Sequence, residues 1–269
     1  MGAIDIFMWR ILDYAGMFPP AKLPLDAALR NFQSYQHHEH ADYLSRFVIP
    51  VGQVPDLPSS NRPPLTVLVN EISATLRDLK ADSIEVPWQE DLSLALLDLS
   101  FPGNIFIELD WRKPYAPLMA AIAKRSPRLG VKLRTGGVTP ESIPPSKAIA
   151  EFLLCAAQHK LPLKATAGLH SPVPHDDPDM GARMHGFLNF FCAGFLAYSE
   201  RGDLEAITGV LEDFSYEDFS FGEHSMRCGT FEFSVQEIER LRSRWLPSFG
   251  SCSFLEPIEH LKTHGLIPT

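Results

Sequence analysis

Long apolar runs, closely spaced cysteines and basic stretches are all missing from this sequence. No apolar run approaches the roughly 20 residues that a membrane-spanning helix needs, so we expect a soluble chain that binds no membrane. The formal net charge is −9 at pH 7 and no stripe of lysine and arginine interrupts it, which argues against nucleic acid as a partner. The composition therefore favours a small molecule as the partner.

The four cysteines lie far apart, and no CxxC pair occurs. This spacing argues against a thiolate zinc cluster and against a disulfide scaffold. Cys155 and Cys192 stand in apolar helical segments and are expected in the core, and Cys252 is expected to pack rather than to act as a nucleophile. The N-terminal residues place the acidic Asp5 before any cationic cluster and lack a small-residue cleavage site, so we expect no secretory signal and a cytoplasmic protein.

Short apolar runs alternate with amphipathic helices along most of the chain, which is the pattern of a parallel sheet. Six runs are strand candidates: RFVIPV at 46–51, LTVLVN at 65–70, SIEVPW at 83–88, IFIELDW at 105–111, GVKLRTG at 130–136 and PLKATAG at 162–168. Helices are predicted between them at 71–81, 116–126 and 146–160. Weaker strands at 218–221 and 249–254 bring the count to eight, the first after a helical excursion from Met184 to Asp213.

We therefore predict an α/β fold, a single (β/α)8 TIM-type barrel that spans residues 1–269, because that length suits one such barrel. Residues 1–40 are predicted as an N-terminal extension whose helix packs on the barrel. Within it, Asp13 and Tyr14 of the segment DYAGMFPPA are candidates for a lid at the barrel mouth, and a turn that caps the barrel bottom is the alternative. A homo-oligomer is left open.

Charged residues of the middle strands share one face, because side chains alternate across a strand. The residues on this face are Glu85, Glu108, Asp110, Lys132, Arg134, Lys164 and Thr166. The opposite face must meet the apolar helices, so this face is expected to point into the barrel, where an unpaired ion costs several kcal/mol. A salt-bridge network that only fills the barrel is one interpretation. A functional site is favoured, because Asp110, Arg134 and Thr166 lie towards the carboxyl ends of their strands, where barrel enzymes carry their chemistry.

The two lysines are the strongest chemical signal. A lysine that is partly desolvated among other cations has a lowered pKa, and its neutral amine can attack a carbonyl to form a Schiff base. The segments VKLRTGG and LKATAGLH resemble the two lysine strands of deoxyribose-phosphate aldolases. The resemblance implies that Lys132 forms the imine and that Lys164 tunes it, although the residues alone leave either assignment open. Arg134 stands where that family has a small hydroxyl residue, and it can pair with a substrate carboxylate or phosphate.

Over its whole length the chain resembles an uncharacterised bacterial protein family marked by DYAGMFPPA, KLRTGG, KATAGLH, HGFLN and FGSCSFLEP. That resemblance supports the barrel and the choice of residues, and it implies no substrate.

Histidines supply a second signal. His170 ends a strand and is a candidate general acid or base, because histidine titrates near neutral pH. A metal site built from His170 would need Glu108 or Asp110, since the histidine spacing matches no compact metal motif. His185 and Asn189 in HGFLN are candidate substrate-binding residues, and fixing the loop before their helix is the alternative role.

Backbone amides offer two candidate sites for a phosphate or carboxylate. Gly136 and Gly137 follow one lysine strand, and Ser251 and Ser253 precede the last predicted helix. Simple tight turns are the alternative at both places.

Three functions are compatible with these residues. The leading hypothesis is a class I aldolase-like lyase that acts on a small anionic carbonyl compound through a lysine imine, with no cofactor and no bound metal. Glu108, Asp110 or His170 would move protons, and Arg134 would hold the anion. The alternatives are a metal-assisted lyase or isomerase that uses Glu108, Asp110 and His170, and a barrel that binds a metabolite without turning it over.

Overall fold

The computed structural model describes residues 2–70, 79–89 and 101–268. The strands of this part of the chain are β1 (Leu12–Tyr14), β2 (Leu44–Pro50), β3 (Leu65–Leu68), β4 (Ser83–Pro87), β5 (Asn104–Leu109), β6 (Leu129–Arg134), β7 (Leu163–Thr166), β8 (His175–Asp177), β9 (Ala182–Met184), β10 (Phe219–Phe221), β11 (Ser225–Cys228), β12 (Phe231–Ser234) and β13 (Phe249–Ser251). The helices are α1 (Ala3–Met8), α2 (Leu25–Tyr35), α3 (Ala116–Ala123), α4 (Ser146–Gln158), α5 (Phe187–Tyr198), α6 (Leu204–Asp213), α7 (Val235–Arg244) and α8 (Leu255–Thr263).

Eight parallel strands close a barrel in the order β1, β2, β3, β4, β5, β6, β7, β13 and back to β1. The predicted (β/α)8 fold class is therefore confirmed. All six of the stronger strand candidates are barrel strands, and so is the weaker one that contains β13. The helices predicted at 116–126 and 146–160 form as α3 and α4, whereas most of the helix predicted at 71–81 lies outside the described residues.

The assignment of residues 218–221 to the barrel is wrong. That segment forms β10, which pairs antiparallel with β11 in a separate sheet of three strands, β10 to β12. The missing barrel strand is β1, which lies inside the segment that the sequence analysis assigns to an N-terminal extension. β1 pairs with β13 on one side and β2 on the other, and so it closes the barrel.

The helix layer is held by apolar packing and by local caps. Every residue of α5 from Phe187 to Ala197 is buried, because this helix lies between the barrel and the outer elements. Phe187 of α5 stacks on Phe249 of β13 with 5.4 Å between ring centroids. At the start of α7, the Glu237 amide donates to Ser234 Oγ at 3.3 Å while the Ser234 amide donates to the Glu237 carboxylate at 2.9 Å, a capping box that fixes where the helix begins.

A disulfide bond joins Cys192 of α5 to Cys228 of β11. Cys192 is fully buried, as expected, but the sequence analysis did not expect it to be bonded. Because the two cysteines are 36 residues apart, their spacing gave no local sign of the pair, and only the packing of the β10–β12 sheet on α5 brings them together. None of the helices in the described residues has the length and apolar character that crossing a lipid bilayer requires.

Candidate active site

A buried ion-pair network fills the centre of the barrel. Lys132 of β6 and Lys164 of β7 are register partners, and both side chains point inward. Their amines donate to the two oxygens of one carboxylate, that of Glu85 on β4, at 2.6 Å from Lys132 and 2.5 Å from Lys164. All three side chains are at most 6% exposed, so the pairs hold in a medium where charges interact far more strongly than in water.

Asp13 of β1 is the inner partner of Lys164 and is completely buried. The lysine donates to Asp13 Oδ2, and the Ser248 hydroxyl donates to the same oxygen at 3.0 Å. Arg46 Nη1 lies 3.7 Å from Asp13 Oδ1. Asp13 is therefore a core member of the network, and neither role that the sequence analysis considered for it, a lid or a bottom cap, describes its position.

Glu108 and Arg134 extend the network outward. The Lys132 amine lies 2.9 Å from Glu108 Oε2, and Arg134 Nε donates to Glu108 Oε1 at 3.2 Å. The Arg134 side chain is 49% exposed, so the chain of charges runs from the barrel centre to its surface. Four cations, Lys132, Lys164, Arg46 and Arg134, face three carboxylates, Asp13, Glu85 and Glu108, which leaves one positive charge in excess.

The ion pairs fix the protonation of these groups. Burial alone raises the pKa of Glu85, but the adjacent Lys132 and Lys164 outweigh it and lower that pKa to about 2. Burial likewise raises the pKa values of Asp13 and Glu108, and their cationic neighbours bring both below the ordinary range. Burial lowers the pKa of Lys132, but Glu85 and Glu108 outweigh it and raise that pKa. The expected lowering of the lysine pKa by neighbouring cations is therefore wrong for Lys132, because carboxylates lie between the cations.

A cavity of about 660 Å³ opens above this network at the carboxyl ends of the strands. Glu85, Lys132 and Arg134 line it, whereas Lys164 lies beneath them and does not. Thr166 and Gly137 also line the cavity. Pro19 and Pro20 of the DYAGMFPPA segment reach the same wall, so this segment borders the barrel mouth.

His170 lines the cavity beside β13. Its Nδ1 lies 2.9 Å from Glu256 Oε2, and its Nε2 lies 3.7 Å from the sulfur of Cys252, which also faces the cavity. Cys252 was expected to pack rather than to react, and it is partly buried at the cavity wall. The alternation on β13 accounts for this position, because Phe249 packs outward on α5 and Ser251 shares its face, which leaves Gly250 and Cys252 on the cavity side.

Other candidate residues are not brought to this cavity. Asp110 lies beyond the end of β5, accepts hydrogen bonds from Arg112 at 3.0 Å, and lines a neighbouring cavity of about 430 Å³ that Arg134 also lines. Gly136 packs against the backbone of Gly168, where an added Cβ would lie 2.9 Å from the Gly168 Cα. This close approach joins the loops after β6 and β7, and the Thr135 hydroxyl strengthens it by donating to the Ala167 carbonyl at 2.6 Å.

The candidates in HGFLN and GSCS hold loops. His185 Nε2 contacts the Pro144 carbonyl at 2.7 Å, and Asn189 donates to the Val210 carbonyl at 2.7 Å, so both side chains are used within the fold. The Ser251 hydroxyl donates to the Ser253 carbonyl at 2.7 Å, and the Ser253 hydroxyl accepts from the Glu256 amide at 3.1 Å. Neither serine lines the main cavity.

Within the described residues, no group of three His, Cys, Asp or Glu side chains is placed to hold a metal ion, so Glu108, Asp110 and His170 do not form the site that the metal-assisted alternative requires. Comparison of the chain with protein-family models, curated proteins and solved structures found no match. The resemblances stated above therefore stay predictions, and function has to be argued from the site itself.

The sequence analysis missed four residues of the site: Arg46, Ser248, Glu256 and, as a network member, Asp13. Asp13 gave one signal, a carboxylate between apolar Leu12 and Tyr14, which is costly in a core unless the charge is paired. Arg46 gave another signal, because it shares a face of β2 with Val48, which lines the cavity. Ser248 and Glu256 gave none, because Ser248 precedes β13 and Glu256 lies on a helix, where the alternation of side chains carries no information about the barrel interior.

Proposed function

We propose that this chain is a class I aldolase-like lyase in which Lys132 forms an imine with a small anionic carbonyl compound. The observation that carries the proposal is the position of the Lys132 amine at the floor of the main cavity, within hydrogen-bonding distance of the carboxylates of Glu85 and Glu108. An amine that reaches a cavity and has a proton acceptor on each side has what imine formation needs, namely access for a carbonyl and a path for the proton.

Access to the main cavity favours Lys132 over Lys164 as the nucleophile. Both amines are buried, but Lys132 lines the cavity and Lys164 lies below it, held by Asp13 and Glu85. Lys164 is in addition 5.3 Å from the centre of the Phe106 ring, which occupies space beside its amine. Lys164 therefore serves as a fixed cation that orients Glu85, and Lys132 is the nucleophile.

Lys132, Glu85 and Glu108 can carry the proton transfers that imine formation requires. The Lys132 ammonium first gives a proton to Glu85 or Glu108, and the neutral amine then attacks the carbonyl carbon. The attacking nitrogen then passes one of its protons to the new oxyanion, which gives a neutral carbinolamine. The carboxylic acid protonates the hydroxyl of that carbinolamine, the hydroxyl leaves as water, and the product is a protonated imine. Because the pKa of Lys132 is raised and that of Glu85 is lowered, the first transfer is uphill. The substrate must therefore trap a minor neutral form of the lysine.

Arg134 supports the anionic character of the substrate. Its guanidinium lines the cavity, is half exposed, and carries the positive charge that the network leaves in excess. A guanidinium can bind a carboxylate or phosphate through two parallel hydrogen bonds. An anionic group on the substrate would thus replace part of the contact that Arg134 makes with Glu108 and free Glu108 to take a proton.

The test is borohydride trapping with glycolaldehyde phosphate, glyceraldehyde 3-phosphate, pyruvate and acetaldehyde, read by intact mass spectrometry. Wild type should gain one stable adduct, and Lys132→Met should gain none. Lys147→Ala, which removes an exposed lysine of α4, is the control and should react as wild type does. Circular dichroism and thermal melting establish that Lys132→Met is folded. An adduct that forms equally in Lys132→Met would remove Lys132 from the proposal.

One observation favours a second function. Each lysine amine already contacts two carboxylates, which suits a permanent ammonium that binds an anion without reacting. This metabolite-binding function predicts that an anionic carbonyl compound raises the melting temperature of wild type while no adduct can be trapped.

A further inference from the structure

A second candidate reactive group lines the same cavity as Lys132, on the loop after β13. The Cys252 sulfur lies 3.7 Å from His170 Nε2, and His170 Nδ1 lies 2.9 Å from Glu256 Oε2. A nucleophile, a base and a carboxylate that orients the base therefore follow one another in a line. This order is the signature of an activated nucleophile, whichever fold carries it.

The cysteine and histidine of this group of three residues face the main cavity. Cys252 and His170 both line it, whereas Glu256 stands behind His170 on α8. Cys252 is partly exposed and is one of two free cysteines, the other being Cys155 on α4. A molecule held in the cavity can thus reach the sulfur, and the disulfide between Cys192 and Cys228 lies elsewhere in the core.

The contacts of His170 favour its protonated form. Burial lowers the pKa of His170, but its hydrogen bonds to Cys252 and Glu256 outweigh burial and raise that pKa to about 10. An imidazolium next to a thiol favours the thiolate, which is the reactive form of cysteine. The other titratable groups that act on the three residues are Tyr14, which faces Cys252, and His175 and His260, which face Glu256.

We propose that Cys252 is the nucleophile of an acyl-transfer site that takes an activated acyl compound, an ester or thioester, in the main cavity. His170 is its acid–base partner, and Glu256 is a positioning residue that holds the His170 ring. The two proposals share the main cavity but use different nucleophiles, so neither inference rests on the other.

The reaction balances with water as the second substrate. The Cys252 thiolate attacks the acyl carbon and a C–S bond forms. The bond from that carbon to the leaving oxygen or sulfur then breaks, and the leaving group takes the proton of His170 Nε2. Water next attacks the acyl-cysteine while His170 Nε2 takes its proton, and the thiolate leaves again. The net change is hydrolysis of the acyl compound to an acid and an alcohol or thiol.

Alkylation by iodoacetamide measures the thiolate directly, with Cys155 as the control inside the same chain. Burial raises the pKa of Cys155, so its alkylation should be slow at pH 6 and should rise with pH. Cys252 should be alkylated about tenfold faster than Cys155 at pH 6, because its sulfur lies beside His170 at the cavity wall. Peptide mass spectrometry separates the two rates. A Cys252 rate at pH 6 no greater than that of Cys155 overturns the proposal, and no variant is needed to obtain that answer.

Variants then assign the roles. His170→Asn should slow alkylation of Cys252 at pH 6 about tenfold and should change the pH profile of its alkylation rate, and Glu256→Gln should change that profile in the same way with a smaller loss of rate. With p-nitrophenyl acetate as the probe, wild type should release p-nitrophenol and carry an acetyl group on Cys252, and Cys252→Ser should do neither. Acetylation of Cys155 instead of Cys252, or an unchanged pH profile in His170→Asn, overturns the assignment. Borohydride adducts on Lys132 and acetyl groups on Cys252 map to different peptides, which keeps the two proposals distinguishable.

Discussion

Lys132 and Lys164 are register partners on β6 and β7, and their amines reach the two oxygens of the same carboxylate, that of Glu85. Two ammonium groups this close would repel each other, so the shared carboxylate is the condition for having both inside the barrel. The two lysines differ in their second carboxylate partner, which is Asp13 for Lys164 and Glu108 for Lys132. Of the two lysines, only Lys132 lines the main cavity, and Glu108 lines the neighbouring cavity.

Replacing Glu85 by glutamine should destabilise the protein and change its response to acid. The pKa of Glu85 falls from 4.5 to about 2 in the folded chain, so its contribution is complete above pH 4.5 and is lost as the pH falls towards 2. We expect Glu85→Gln to lose about 3 to 5 kcal/mol of unfolding free energy at pH 7, because two buried ammonium groups lose their common partner.

Urea unfolding of wild type and Glu85→Gln between pH 7 and pH 2.5 measures this difference. The difference in unfolding free energy between wild type and Glu85→Gln should narrow below pH 4.5. Glu151→Gln, at an exposed position of α4, is the control and should stay within about 0.5 kcal/mol of wild type at pH 7. A gap that is constant across the acid range would mean that the Glu85 charge contributes nothing.

Arg134 should make the binding of an aldehyde depend on the charge that the aldehyde carries. In Arg134→Ala, the concentration of glycolaldehyde phosphate that gives half-maximal trapping should rise about tenfold or more, because a charge-assisted hydrogen bond is worth roughly 1.5 to 3 kcal/mol. Trapping of neutral acetaldehyde should change much less. Arg125→Ala removes an exposed arginine away from the cavity and serves as the control. Equal losses for the charged and the neutral aldehyde would argue against an anion site at Arg134.

The extent to which this site could be predicted depends on the length of each strand. β4, β5 and β6 have five or six residues each, enough for alternation to show that Glu85, Glu108 and Lys132 share the inner face. β1 has three residues and shows no alternation, so Asp13 was not recognised as part of the barrel interior.

The pairing of segments that are far apart in sequence was the other limit. A short apolar run such as Phe219–Phe221 looks the same whether it joins a barrel or a separate sheet, and only the closing contact of β1 with β13 decides the matter. For the same reason the sequence could place cations and carboxylates on one inner face but could not show which of them are in contact. The pKa of Lys132 was therefore predicted in the wrong direction.

Imine formation at Lys132 should become faster as the pH rises. Because the pKa of Lys132 is raised, its charged form predominates at neutral pH and the reactive neutral amine increases with pH. The protein is incubated with the aldehyde at pH values from 6 to 9, and each sample is quenched in the same borohydride solution. The initial rate of adduct formation should rise by up to about tenfold per pH unit. A rate that is independent of pH would indicate a lysine that is already neutral.

The Cys192–Cys228 disulfide should contribute substantially to stability. It closes a loop of 36 residues between α5 and β11, for which restriction of the unfolded chain predicts roughly 4 kcal/mol. Urea unfolding without reductant should show a loss of this order in Cys192→Ala/Cys228→Ala, and Cys155→Ala is the control. Alkylation of unreduced, denatured wild type should modify two cysteines, Cys155 and Cys252. Modification of all four would show that the bond is absent.

Peptide mapping of the borohydride-reduced adduct tests directly whether Lys132 is the lysine that forms the imine. Wild type is incubated with each aldehyde or keto acid, reduced, digested and sequenced by tandem mass spectrometry, so that the modified lysine is identified without any substitution in the network. The mass added by the substrate should be found on Lys132, within the peptide that contains β6. An adduct on Lys164, or one spread over exposed lysines such as Lys147, would contradict it.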